Sequence, residues 1–130
     1  MYKKNINFTD YNGNKHEETF YFNLSTLDIH KLDKAYPDGF AAAYEAAVKS
    51  SDSRLITDIF IDLIMRSYGK KSDDGMHFDK NEELSEAFVS GPAFEALLEE
   101  LTSDQNAMTD FFYGIIPQNL QNRAASNPAA

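Results

Sequence analysis

The period of the hydrophobic pattern changes once, between Phe22 and Leu24, and that change bounds the fold. Before it, apolar and polar residues alternate: Ile6 and Phe8 against Asn5, Asn7 and Thr9, then Phe20 and Phe22 on one face of Lys15 to Phe22. Alternation with period two is the mark of a half-buried strand. After Leu24, apolar residues recur at three- and four-residue spacing, the mark of helices. A chain written this way folds as one short hairpin followed by a run of helices.

The turn between the two strands is Tyr11-Asn12-Gly13-Asn14, rich in residues that accept positive φ. Opposite residues of an antiparallel pair share a face, and their numbers sum to a constant. Ile6, Phe8, Phe20 and Phe22 are all even-numbered, so a shared core face requires an even sum. A two-residue Asn12-Gly13 loop pairs Tyr11 with Asn14 and gives an odd sum. The pattern therefore predicts an odd-numbered loop or a bulge.

Six helices follow. Ser25 can cap the first, with Asp28 at its third position, Leu24 stapling onto Ile29, and Leu27, Ile29, Leu32 and Ala35 filling it. Pro37-Asp38-Gly39 ends it. Phe40, Ala43, Tyr44, Ala47 and Val48 mark the second helix. Ser51-Asp52 starts the third, whose stripe of Leu55, Ile56, Ile59, Phe60, Leu63 and Ile64 is the clearest pattern in the chain. Its other face carries Arg54, Asp58, Asp62 and Arg66, each four residues from the next, as on a solvated helix. Tyr68 to Phe78 reads as a loop or small hairpin around Asp74-Gly75. Asp79 with Glu82 reads as a capping box for a fourth helix through Leu84, Ala87 and Phe88. Pro92 suits the first position of a fifth, carrying Phe94, Leu97, Leu98 and Leu101. Thr102 with Gln105 reads as the cap of a sixth, with Ala107, Met108, Phe111 and Phe112; Gly114 closes it and Pro117 stops it. The expected fold is mainly α with a short N-terminal β-hairpin (α+β), a compact bundle of about six helices. Its expected organisation is one globular domain over 1–117, with hairpin 2–22 and helices 25–116, and a mobile polar tail over 118–130.

With 42% apolar residues, ten Phe and seven Tyr, the chain of 130 residues has the composition of a folded core. The formal net charge is −9, which disfavours contact with phosphate and hence nucleic acid. The charge is unevenly spread: a net of −1 over residues 1–50 and −9 over residues 51–116. An acidic C-terminal half suits a basic protein partner as well as plain solubility. There is no cysteine, which excludes disulfides, thiol catalysis and thiolate metal sites. MYKKNINF lacks the apolar stretch of a signal peptide, and Asp58 and Asp62 cut the greasiest segment, Leu55 to Met65. A soluble intracellular protein, without a membrane, is expected.

No residues converge on a reaction. His16, His30 and His77 have no metal-binding spacing to another ligand; His30 and Asp33 alone make a poor site. Calcium-loop positions counted back from Gly75 and Gly39 begin on Lys70 and Lys34, which offer no oxygen. No serine sits in a nucleophile elbow, and no glycine-rich phosphate loop is present. The paired acids, such as Glu82-Glu83 and Glu99-Glu100, are sequence neighbours that do not face each other on a helix. The chain reads as no enzyme, with no catalytic residue, no metal site and no cofactor.

Aromatic residues give better material for binding. Tyr36, Phe40 and Tyr44 cluster around the break between the first and second helices. Phe111, Phe112, Tyr113, Ile115 and Ile116 crowd the end of the last helix, too many to share one stripe. Core packing accounts for most of them, but Tyr36, Phe40, Tyr44, Phe112, Tyr113 and Ile116 are the candidate partner-binding residues.

Three stretches, taken together, resemble the tail assembly chaperones of long-tailed (siphovirus-type) bacteriophages: YNGNKHEETFYFNLS at 11–25, IFIDLIMRSYGKKSDDGMHFDKNEEL at 59–84, and FFYGIIP at 111–117. Their order and spacing span most of residues 3–117. The resemblance implies a mainly helical protein of the host bacterial cytoplasm, made during infection. It implies that the protein binds the tape measure protein, keeps it soluble, helps recruit tail tube protein during morphogenesis, and is absent from the mature virion. It carries over no catalytic residue; a homo-oligomer is compatible with it. An alternative is a structural tail completion or connector protein retained in the virion. An acidic mimic of nucleic acid fits less well, because Lys and Arg intervene among acids spread over several helices.

Overall fold

The computed structural model describes residues 1–116; Pro117 and the tail expected over 118–130 lie outside the described residues. Strands β1 (Tyr2–Thr9) and β2 (Lys15–Phe22) open the chain, followed by helices α1 (Thr26–Ala35), α2 (Phe40–Lys49) and α3 (Ser53–Ser67). Short strands β3 (Tyr68–Lys71) and β4 (Phe78–Asp79) come next, then α4 (Glu82–Val89), α5 (Pro92–Thr102) and α6 (Gln105–Ile115). The segment around Asp74-Gly75 is thus a hairpin, and it joins the first one. Together they make a four-stranded antiparallel sheet in the order β1-β2-β3-β4.

The hairpin register is the even one. Tyr2 pairs with Phe22, and the pairing runs in step to Thr9 with Lys15, leaving a five-residue loop at 10–14. That puts Ile6 and Phe22 in the core, with Phe8 and Phe20 packed against it. Asp10 organises the loop: its carboxylate accepts the N–H groups of Asn12 and Asn14, each at 2.9 Å, and meets the His16 ring at 2.7 Å. The hydrogen bond from His16, then those from the backbone, hold the Asp10 carboxyl below its ordinary range. Gly13 takes φ +86°, the left-handed conformation that the Asn-Gly pair anticipates.

The join into α1 is a full capping box: Ser25 Oγ accepts the Asp28 N–H, and the Asp28 carboxylate accepts the Ser25 N–H. Of the residues expected to fill α1, only Leu32 is fully buried. Leu27 is 62% exposed, because this short helix lies at the edge of the fold.

Three helix ends differ from the expectation. The cap of α4 is Asn81, which accepts the Leu84 N–H, and not Asp79, which belongs to β4. The cap of α6 is Asp104, which accepts the Asn106 N–H; Thr102 is still the last residue of α5. Each acceptor lies one residue before its helix, where its oxygen reaches the free N–H groups. Gly114 does not close α6 but lies inside it. A Cβ there would come within 2.4 Å of the Tyr2 ring, so the missing side chain makes room for β1 on α6. Pro92 does occupy the first position of α5.

One hydrophobic cluster runs from Ile6 and Phe22 through α2 and α3 to α5 and α6. Phe22 meets Tyr68, Phe88 and Phe111, with ring centroids 5.9, 6.0 and 5.4 Å away. Offset and edge-on contacts of this kind suit aromatic quadrupoles. Lys80 ties the exit of β2, α1 and α3 at one point: its ammonium donates to the carbonyls of Asn23 (3.0 Å) and Arg66 (3.1 Å) and to the Asp28 carboxylate.

Candidate functional site

The helix pair α2 and α6 positions most of the candidate binding residues. α2 reads FAAAYEAAVK: Phe40, Tyr44 and Ala47 turn inward, while Ala42, Glu45, Ala46 and Lys49 are left toward solvent. α6 buries Met108, Phe111, Phe112 and Ile115, leaving Thr109 and Tyr113 beside α2.

Five of the six candidate residues form one chain of rings. Tyr36 meets Phe40 edge-on at 5.0 Å, and Phe40 stacks on Phe112 at 5.3 Å. Phe112 stacks on Tyr44 at 3.9 Å, and Tyr44 meets Tyr113 edge-on at 6.3 Å. The sixth, Ile116, is buried at the end of α6, where its N–H donates to the Phe112 carbonyl. Phe40 and Phe112 are fully buried, and Tyr44 is 2% exposed. Tyr36 and Tyr113 are half-buried.

The tyrosine hydroxyls anchor this stack to its neighbours. Tyr36 donates to the Asp62 carboxylate on α3 at 2.7 Å; burial, then that hydrogen bond, pushes its pKa up to about 12. Tyr113 donates to the Glu45 carboxylate on α2, and burial followed by this bond raises its phenol as well. The Tyr44 hydroxyl shares a hydrogen bond with Thr109 at 3.0 Å, and burial raises its pKa.

Above the stack runs a groove of about 650 Å³, lined by Ala42, Tyr44, Glu45, Ala46, Val48, Lys49, Thr109 and Tyr113. A second hollow, of about 180 Å³, shares Tyr44 and Val48 and continues past Ile56, Leu101 and Met108 toward α3 and α5. The main groove combines the small or apolar Ala42, Ala46 and Val48 with the polar Glu45, Lys49 and Thr109. Among the described residues, no three His, Asp or Glu side chains are grouped to hold a metal.

Of the six candidate residues, Tyr44 and Tyr113 line the groove, while Tyr36, Phe40, Phe112 and Ile116 do not; the other lining residues, Ala42, Glu45, Ala46, Val48, Lys49 and Thr109, were not among the candidates. The sequence clue to the α2 wall is that Ala42 and Ala46 stand four apart on an Ala-rich helix, one on each side of the inward Tyr44.

No curated protein and no solved structure matches the chain. A family model described as "Phage tail assembly chaperone" matches residues 1–130. With the whole sequence covered, the chain belongs to the phage tail assembly chaperone family.

Proposed function

We propose that this chaperone binds the tape measure protein of its phage, keeps it soluble, helps recruit tail tube protein, and leaves before the virion is complete. It acts in the host bacterial cytoplasm. Among the described residues, no helix is long and apolar enough to cross a membrane.

The groove between α2 and α6 carries this reading. Ala42 and Ala46 let a partner's backbone approach closely, and Tyr44 backed by Phe112 gives a rigid apolar floor. A long helical client exposes an apolar stripe until other subunits cover it, and a groove of this shape receives such a stripe. In contact with the client, Tyr113 stands at the groove wall and Tyr44 forms its floor, while Phe112 and Phe40 stack behind Tyr44. Covering about 300 Å² of apolar surface yields on the order of 7 kcal/mol before association costs. Those costs run to about 4–15 kcal/mol, so one groove alone binds weakly and releases readily. Reversibility is what a chaperone that hands over its client requires.

The test is capture from infected cells with tagged chaperone, paired with mass spectrometry of purified virions. The reading expects tape measure protein in the captured fraction and no chaperone in virions. Chaperone at stoichiometric amounts in virions would instead make it a retained tail component.

A further inference from the structure

The groove over Tyr44 and the smaller hollow beside it share Tyr44 and Val48, but their chemistry differs. The hollow, about 180 Å³, is walled by Val48, Ile56, Leu101 and Met108. Three of its four hydroxyls are already committed. Thr57 donates to the Ser53 carbonyl at 2.8 Å, Thr102 donates to the Leu98 carbonyl at 2.7 Å, and Tyr44 shares its bond with Thr109. What is left for a visitor is mainly apolar. A space of about 150 Å³ holds a benzene ring, so this one takes a single leucine or phenylalanine side chain.

Only two charged residues line the two spaces, Glu45 and Lys49, one turn apart on α2. Glu45 accepts the Tyr113 hydroxyl. Lys49 closes α2, where a cation suits the carbonyl end of a helix. It is exposed and belongs to no ion pair among the described residues, so its ammonium can turn to an incoming carboxylate. Val48, which lines both spaces, precedes Lys49 in the chain, so one client helix can reach the hollow and Lys49 together.

We infer that the groove selects a helix in which a leucine or phenylalanine stands one turn from an aspartate or glutamate. The apolar side chain fills the hollow as the anchor, and the carboxylate meets Lys49. Residues three and four apart share one face of a helix, which is the spacing these two contacts require. This rests on the proposed function and states what the groove reads in its client. The anchor supplies most of the affinity. The exposed ion pair adds little affinity, fixes the direction of the client helix, and weakens with salt.

Tagged full-length chaperone is co-expressed with tiled segments of its phage's tape measure protein, each fused to a soluble carrier, and the captured amount is measured. In a captured segment, changing the acid one turn from a leucine or phenylalanine to lysine should lower capture by wild type about fivefold at about 0.1 M salt, and by less at about 0.5 M. The same change should raise capture by Lys49→Glu by a similar factor, while Lys49→Arg behaves as wild type. Thr102→Trp and, separately, Gln105→Trp fill the hollow from exposed rim positions. Each should lower capture at least about tenfold with an unchanged unfolding midpoint. If wild type captures segments but Lys49→Glu captures them equally, or no acid shows the reciprocal effect, the inference falls and the proposed function stands. The same holds if the folded tryptophan variants capture like wild type. Capture of no segment overturns both. Two other occupants would also overturn the inference. A rise in capture of at least about fivefold with Leu120→Ser/Arg123→Ser would seat the chain's own residues 118–130 in the groove. An untagged second copy that co-purifies in place of client, and is lost with Lys49→Glu, would seat another copy there.

Discussion

The Tyr44 ring lies flat on Phe112, with centroids 3.9 Å apart and planes 12° from parallel, and its hydroxyl meets Thr109 on the same helix as Phe112. One residue of α2 is thus tied twice to α6, once by its face and once by its polar tip. That double tie fixes the floor of the groove. The two contacts separate by mutation. Tyr44→Phe keeps the stack, loses the hydroxyl bond and is expected to cost about 0.5–1.5 kcal/mol. Phe112→Ala removes a fully buried ring and is expected to cost about 3–5 kcal/mol. Urea unfolding at constant slope reads both.

Gly114 and Tyr2 set β1 against α6. Ala in place of Gly inside a helix ordinarily gains about 1 kcal/mol. Here the new methyl meets the Tyr2 ring, and overpacking of this kind costs about 1–3 kcal/mol. Gly114→Ala is therefore expected to destabilise the wild type but to stabilise a Tyr2→Ala background. A double-mutant cycle measures the change of sign. Equal effects in both backgrounds would mean that the ring and the helix do not press on each other.

Lys80 and Asp28 join the hairpin exit, α1 and the end of α3. Lys80→Met removes the donor shared by the Asn23 and Arg66 carbonyls and leaves the Asp28 carboxylate with the Ser25 N–H, an expected loss of about 1.5–3 kcal/mol. Burial raises the Asp28 pKa, but the hydrogen bonds from Lys80 and Ser25 outweigh it and hold the group below 3.8. A lowered folded pKa gives stability that is present above 3.8 and lost as the pH falls through the folded value. The wild type should lose stability on acidification in that window, and Lys80→Met should lose less. Urea midpoints collected from about pH 6 to about pH 3 test the difference.

Tyr36 and Tyr113 donate to carboxylates and are partly shielded from water, so both phenols ionise late. A raised folded pKa gives stability that is intact below the ordinary tyrosine value of 10.0 and lost as the pH rises toward about 12, as for Tyr36. Phenolate absorbance should show these two titrating late, and Tyr36→Phe should remove one late proton. Titration of all tyrosines together while the protein is still folded would contradict the hydroxyl contacts.

Local rules explain which parts of the fold were readable. Parity of Ile6, Phe8, Phe20 and Phe22 was enough to reject a two-residue turn, because a one-residue slip moves every side chain to the other face. Ser25 with Asp28, and Pro92, named their helix starts through chemistry confined to one turn. Asp79 and Thr102 misled because their neighbours Asn81 and Asp104 offer the same acceptor chemistry, and tertiary packing decides which one reaches the free N–H groups. Gly114 looked like a cap because its real partner, Tyr2, is at the far end of the chain. The candidate rings were visible as excess aromatic residues. The alanine walls of the groove were not, since a small residue has no pattern of its own until another helix stands beside it.

The central claim is that the groove over Tyr44 holds a tape measure helix, and the solubility of that client tests it most directly. Tape measure protein is co-expressed with the chaperone, and the soluble fraction is measured against expression alone, against Ala42→Arg/Ala46→Arg and against Lys31→Arg as a distant surface control. Ala46 is exposed and Ala42 half-buried at the groove wall, so long side chains there occupy the groove from the solvent side. The account predicts soluble client with wild type and control, and a pellet with the groove variant, whose own unfolding midpoint stays near wild type. Equal rescue by the folded groove variant would contradict it.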